Sequence, residues 1–157
     1  MYKKMILITI LFIFIDQISK GLINVYMNLN DSINIINNFF NLTYVHNYGA
    51  AFSMFTGGRY IFIIVTIIAL NLIYLFFIKD KKLSNFEMVT YSMLLSGIIG
   101  NLIDRVLFGY VIDFLDFNIF GYDFAIFNIA DSFIVISVIL LIIQEVYNAR
   151  IFSRRNK

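Results

Sequence analysis

The sequence predicts an all-α membrane protein: four transmembrane helices with a small β-rich cap on the extracytoplasmic side. Three observations predict it. The 157 residues are 61% hydrophobic and only 14% charged, with a mean hydropathy of +0.84, outside the range of a water-soluble globule. Four apolar segments, 5–27, 60–78, 88–107 and 125–147, are each long enough to cross a hydrocarbon core of about 30 Å, which takes roughly 20 helical residues. The basic residues are sorted as well. Lys3, Lys4, Lys79, Lys81, Lys82, Arg150, Arg154, Arg155 and Lys157 fall in the two tails and the 79–87 loop, whereas the loops 28–59 and 108–124 hold only Arg59. By the positive-inside rule both termini are cytoplasmic.

Each element has its own signature. The first span opens with "KKMILITILFIFI", which shares the charged start and apolar core of a secretory signal peptide. It runs into "DQISK" without a small-residue cleavage site and resumes as "GLINVYM", so it reads as a retained helix. In the long loop after it, "INIINNFFNLTYV" mixes β-branched and aromatic residues with polar ones ahead of "HNYGAAFS". That composition predicts short strands and a turn at the outer membrane surface. In the second span Asn71 is a modest polar exception in an almost wholly apolar inner half. The third carries Ser92, Ser96 and Gly100 at intervals of four with Gly97 beside them, a pattern that lets helices approach closely in lipid. The second outer loop, "GYVIDFLDFNIFGYDF", alternates apolar and acidic positions in places and predicts a half-buried strand or interfacial segment. No repeat, linker or low-complexity block divides the chain, which reads as a single membrane domain over 1–157.

Composition removes several chemistries. With no Cys there is no disulfide, thiolate nucleophile or Cys-based metal site, and a single histidine, His46, makes a histidine metal cluster unworkable. No metal or other cofactor is expected. A net charge of +2 is too small to suggest nucleic acid as a partner. The carboxylates remain. Ionisable side chains inside a span cost several kcal/mol each on insertion scales and mark pairs, proton paths or sites. Here they gather at one depth: Asp16 and Lys20 in the outer half of helix 1, Asn101, Asp104 and Arg105 near the outer end of helix 3, and Asn128 and Asp131 at the start of helix 4. The three- and four-residue spacings give each helix one polar stripe.

Each of these residues also has a plain structural reading. Asp16 with Lys20 reads first as a neutralising pair, and Asp104 with Arg105 as a helix-end pair, although Arg105 has the geometry to orient a carboxylate or a carbonyl. Ser92, Ser96, Gly97 and Gly100 read as packing, Asn47 and Gly49 as a turn, and His46 as a surface residue. Asp113 in "VIDF" and Asp131 in "FNIADS" resist that treatment. Two carboxylates facing each other in a low dielectric share one proton. The ionised member then draws a proton from water while the protonated member donates to a peptide carbonyl, which is general acid–base catalysis without metal or covalent intermediate. A transporter with a proton path is the competing class, and a lipid-binding scaffold without catalysis a third. A relay needs polar groups through the full thickness, yet the inner halves of helices 1, 2 and 4 are almost wholly apolar.

Five motifs carry a resemblance: "DQISK" (16–20), "NYGAAFS" (47–53), "GIIGNLIDR" (97–105), "VIDF" (111–114) and "FNIADS" (127–132). In order and approximate spacing they resemble the lipoprotein signal peptidases, also called signal peptidase II, over nearly the whole chain. The resemblance implies an intramembrane aspartic endopeptidase of the bacterial cytoplasmic membrane. Such an enzyme removes the signal peptide of prolipoproteins by cutting just before a cysteine that already bears a diacylglyceryl group. It implies Asp113 and Asp131 as the catalytic pair. Asn47, Gly49, Asn101, Arg105 and Asn128 fall on polar positions that line the family's site, and Asp16 with Lys20 on a supporting one. The implied partners are the lipid-modified substrates and membrane lipids, the expected protein is a monomer, and its site faces the outer side. This chain departs from the pattern in having Ser96–Gly97 where two glycines are usual, and "DFAIFN" where a proline often precedes the last motif.

Overall fold

The computed structural model describes residues 2–49, 58–119 and 121–155. Four helices carry the mass: α1 (Tyr2–Tyr26), α2 (Arg59–Ile73, continuing as a π-helical turn over Tyr74–Ile78), α3 (Asn85–Leu107) and α4 (Ile129–Arg155). All four are long and apolar enough to cross a membrane. Between them lie β1 (Ser32–Ile36), β2 (Phe40–Asn47), β3 (Val111–Ile119) and β4 (Tyr122–Asp123), which form a four-stranded antiparallel sheet in the order β1-β2-β3-β4. The expected membrane bundle with a β-rich cap is therefore the architecture observed.

Helix α3 is the hub. It packs on each of the other three helices, and 44% of its membrane-length window is buried against 17% or less in the others. Small residues make that possible. A methyl group on Gly97 would collide with the Ala130 carbonyl oxygen and come within 2.7 Å of Ile134 Cγ1, and one on Gly100 would lie 2.5 Å from Asp16 Oδ2. The single proton of buried Ser92 is shared between Met88 O of its own helix, 2.7 Å away, and Met5 O of α1, 3.2 Å away, a polar tie of the kind that helps helices associate in lipid. The helix starts with a reciprocal capping box, Ser84 Oγ accepting from Glu87 N while Glu87 Oε2 accepts from Ser84 N. The outward faces of α1, α2 and α4 leave large apolar side chains such as Leu7, Phe14, Ile61 and Ile142 more than half exposed. In water so much contiguous apolar surface would drive aggregation; in lipid it is the solvent-matched face.

The cap rests on one end of the helical bundle. Met27, Tyr44, Ile112 and Phe114 form its buried centre, with Ile23 of α1 and Ile129 of α4 packed against it. The β1–β2 turn places Asn38 at φ 56°, a left-handed conformation that Asn tolerates better than most residues. A register shift between Leu42 and Val45 turns β2 so that its far end runs beside Asp113.

Two sequence expectations need adjusting. Helix α4 starts at Ile129 rather than 125, because the preceding residues bond to β3: Phe127 N donates to Leu115 O, and Phe114 N and Leu115 N both donate to Phe127 O. His46 is half-buried rather than a surface residue, stacked on Tyr110 at 3.7 Å between ring centroids and hydrogen-bonded through Nε2 to the Tyr44 hydroxyl. Of the "NYGAAFS" motif, residues 50–53 lie outside the described residues.

Candidate active site

Where the cap meets the bundle, a cavity of about 210 Å³ is lined by Asn47, Asn101, Arg105, Asp113 and Asp131 together with Val111, Ile134 and the 125–127 segment. The two carboxylates arrive from different elements. Asp113 comes from β3, held in place by pairing with Val45 of β2. Asp131 sits in the first turn of α4, where its Oδ2 accepts from Asn128 N and Asn128 Oδ1 accepts from Asp131 N. That reciprocal pair is itself a helix cap. It also satisfies a carboxyl group at the head of an apolar helix: the Asn128 backbone N–H donates to one oxygen and the Asn101 amide to the other.

Two asparagines link the carboxylates and a third braces Asp113. Asn128 Nδ2 donates to Asp113 Oδ1 at 2.6 Å and lies 3.2 Å from Asn101 Oδ1. Asn101 Nδ2 donates to Asp131 Oδ1 at 2.7 Å. Asn47 Nδ2 donates to Asp113 Oδ2 at 2.9 Å, while its own Oδ1 accepts from Gly49 N. Gly49 thus shapes the turn that aims Asn47. Every carboxylate oxygen of the pair receives one donor. Asp113 is almost completely buried, and its pKa is pushed up to about 7, first by that burial and then by the charge of Asp131; the Asn47 and Asn128 hydrogen bonds pull the other way.

Behind this layer sits a buried ionic knot. Lys20 Nζ lies 2.9 Å from Asp16 Oδ2, 2.9 Å from Asp104 Oδ2 and 3.0 Å from Asn101 Oδ1, with all three ionised side chains at most 2% exposed. Asp16 Oδ1 accepts from Ala130 N at the start of α4, and Asp104 Oδ2 accepts from Ile112 N of β3. The knot therefore pins to α1 and α3 the elements that carry Asp131 and Asp113.

Most of the residues singled out in the sequence meet here, with one changed partnership. Asp104 does not pair with Arg105; it faces inward to Lys20, while Arg105 donates to Gly49 O at 3.1 Å and stands over the Phe62 ring. Consecutive helical residues point about 100° apart, so adjacency along the helix separates rather than joins them. Two contributors escaped the sequence reading. Gln17 Nε2 bonds to Asp104 Oδ1 and Asp16 Oδ2, and Arg59 donates to the Arg105 and Val106 carbonyls at the end of α3. Gln17 stood inside a quoted motif, and Arg59 was the lone basic residue of the outer loops. Among the described residues no cluster of three or more metal-ligating side chains exists.

Fold and cavity together define a membrane-embedded enzyme whose polar centre lies at one end of a helical bundle. The family described as signal peptidase (SPase) II matches residues 8–147. The chain is 49% identical over 138 residues to the lipoprotein signal peptidase of Staphylococcus aureus (strain MRSA252), covering 88% of this chain and 85% of the relative. It is 48% identical over the same length to that of strain JH9. Among solved structures, a bacterial membrane enzyme determined by the in meso method at 2.3 Å resolution superposes with a TM-score of 0.84 at 46% identity, covering 94% of this chain and 90% of that one. A second, at 1.9 Å resolution, superposes with a TM-score of 0.80 at 47% identity, covering 90% and 92%. The chain belongs to the signal peptidase II family and is a membrane peptidase.

Proposed function

We propose that this peptidase is an aspartic endopeptidase working within the membrane, which removes signal peptides from diacylglyceryl-modified prolipoproteins by cutting just before the lipidated cysteine. The observation that carries the reading is the asparagine-bridged convergence of Asp113 and Asp131 on one cavity at the junction of bundle and cap. Asp113 and Asp131 are the catalytic pair. Asn47, Asn101, Arg105 and Asn128 hold the pair or the substrate, Gly49 shapes their turn, and Asp16 with Lys20 supports them from behind. The whole chain acts as one integral membrane domain, monomeric, in the bacterial cytoplasmic membrane, with both termini cytoplasmic and the cavity toward the outer face.

In this mechanism the lipid-modified segment enters sideways from the outer leaflet. Asp131, ionised, takes a proton from a water molecule as its oxygen attacks the scissile carbonyl carbon. Asp113, whose pKa near 7 lets it hold a proton at neutral pH, gives that proton to the carbonyl oxygen. Collapse of the tetrahedral species returns a proton to the cysteine nitrogen, releasing a free amine and the peptide carboxylate. Arg105 and the asparagine amides supply the positioned donors that stabilise charge in a water-poor cavity. A proton path finds little support, since Asn71 of α2 is exposed and spends its amide on Ile67 O of the same helix.

The test is Asp113→Asn and Asp131→Asn, each followed by the mobility shift of one lipid-modified prolipoprotein on a gel. Both variants are expected to insert and fold while losing at least about 10³-fold in rate, the scale set by removing a general acid or base. Near-normal cleavage by both would refute the assignment.

A further inference from the structure

A second cavity, of about 460 Å³, lies at the opposite end of the bundle between α2, α3 and α4, and its lining includes Glu87, Gln144 and Glu145. Neither the catalytic reading nor the fold uses its polar groups fully. Gln144 Oε1 is buried with no hydrogen-bond partner among the described residues. Neither glutamate forms an ion pair there with Lys79, Lys81 or Lys82, the described salt bridges being those of Lys20. An unpartnered buried carbonyl beside two carboxylates, with the Tyr91 side chain in the same lining, makes an acceptor-rich site suited to an ammonium or guanidinium group.

The two cavities share a floor. On α3, Glu87, Tyr91 and Leu94 line the inner cavity and Asn101 and Arg105 the outer one; steps of four, three, seven and four residues put them on one helical face. On α4, Asp131 and Val135 line the outer cavity and Ile142 and Glu145 the inner, again one face. Helix α2 flanks that face at both ends, through Phe62 against Arg105 and Phe77 against Tyr91. From Asp131 to Glu145 is fourteen residues, as is Glu87 to Asn101, or about 21 Å of helix at 1.5 Å per residue. A signal peptide has a basic start followed by an apolar core of about 7–15 residues.

We propose that the inner cavity binds the basic amino-terminal residues of the signal peptide, so that the face of α3 between the cavities measures the apolar core against the catalytic pair. This rests on the function proposed above. A core of about 14 helical residues places the basic group at Glu87, Gln144 Oε1 and Glu145 when the scissile bond reaches Asp113 and Asp131.

The experiment uses purified full-length enzyme and one diacylglyceryl-modified prolipoprotein in two forms, with its amino-terminal lysines intact or replaced by glutamine. The enzymes are wild type, Glu145→Gln at an exposed position, and the double variant Glu87→Gln/Glu145→Gln, in which glutamine keeps the capping-box role of Glu87. For wild type, neutralising the lysines is expected to raise KM about fivefold, the size of one partly exposed ion pair, with kcat unchanged. The variants are expected to lose that discrimination, Glu145→Gln in part and the double variant fully, while keeping wild-type kcat on both substrates. Equal KM values for the two substrates with wild type, or undiminished discrimination by the double variant, would overturn the inner site while leaving the peptidase reading intact. Failure of wild type to cleave either substrate would overturn both.

Discussion

Lys20 illustrates how one residue sets the polarity of the site. An ammonium group only donates, so the face of Asn101 turned toward it must be the carbonyl, 3.0 Å away. The Asn101 amide nitrogen then points at Asp131, which must present an acceptor. At the far end of the network Asn47 is oriented by Gly49 N, which claims its carbonyl and leaves its amide to Asp113. This direction of donation has a consequence for pH dependence. Asp113 has its pKa raised to about 7, so a rate that needs its proton falls as the pH climbs through that value. Asn47 stabilises the carboxylate and opposes the rise. In Asn47→Ala that opposition is gone, and the alkaline limb of the kcat/KM profile is expected to move to higher pH. A profile displaced to lower pH, or left unmoved, would separate Asn47 from the titration of Asp113.

At the scale of elements, α3 does the organising. Its small residues let α1 and α4 approach until side-chain and backbone groups interlock, with Asp16 lying where a larger residue at Gly100 would intrude. At Gly97 the neighbours are the Ala130 carbonyl and the backbone and side chain of Ile134, both on the α4 turn that carries Asp131. Gly97→Ala is therefore expected to destabilise by about 1–3 kcal/mol, the usual cost of overpacking, and to reduce cleavage by displacing that turn. Thermal unfolding in detergent micelles with a parallel activity assay checks both effects. Unchanged melting and activity would mean that α4 yields without disturbing the site. The departure of Ser96–Gly97 from two glycines keeps the residue that the α3–α4 contact requires, since Ser96 turns its hydroxyl back to Met93 O of its own helix.

For the whole molecule, the outer cap and the inner loop should lie on opposite faces of the membrane. Because the chain contains no cysteine, single cysteines report on topology without background. Asn37→Cys in the exposed β1–β2 turn is expected to react with a membrane-impermeant maleimide in intact spheroplasts, and Lys81→Cys in the exposed α2–α3 loop only after lysis. The reverse pattern would invert the orientation and with it the route of substrate entry.

The amino-acid sequence by itself determined the four spans, the sorting of basic residues and the set of polar residues at one depth. These are properties of composition and spacing along the chain, and the cost of placing charge in lipid makes them legible. It also pointed to strands in the outer loops, through β-branched and aromatic residues. Only the tertiary structure decided the partnerships. Lys20 meets Asp104 across 84 residues, Gln17 meets it across 87, and Asp16 meets the Ala130 amide across 114. The delayed start of α4 has the same origin, since Phe127 gives its backbone bonds to β3 before the helix begins. Local pattern fixes which face of a helix is polar; which groups on that face find each other depends on how closely the helices approach, and here that was set by the packing around α3.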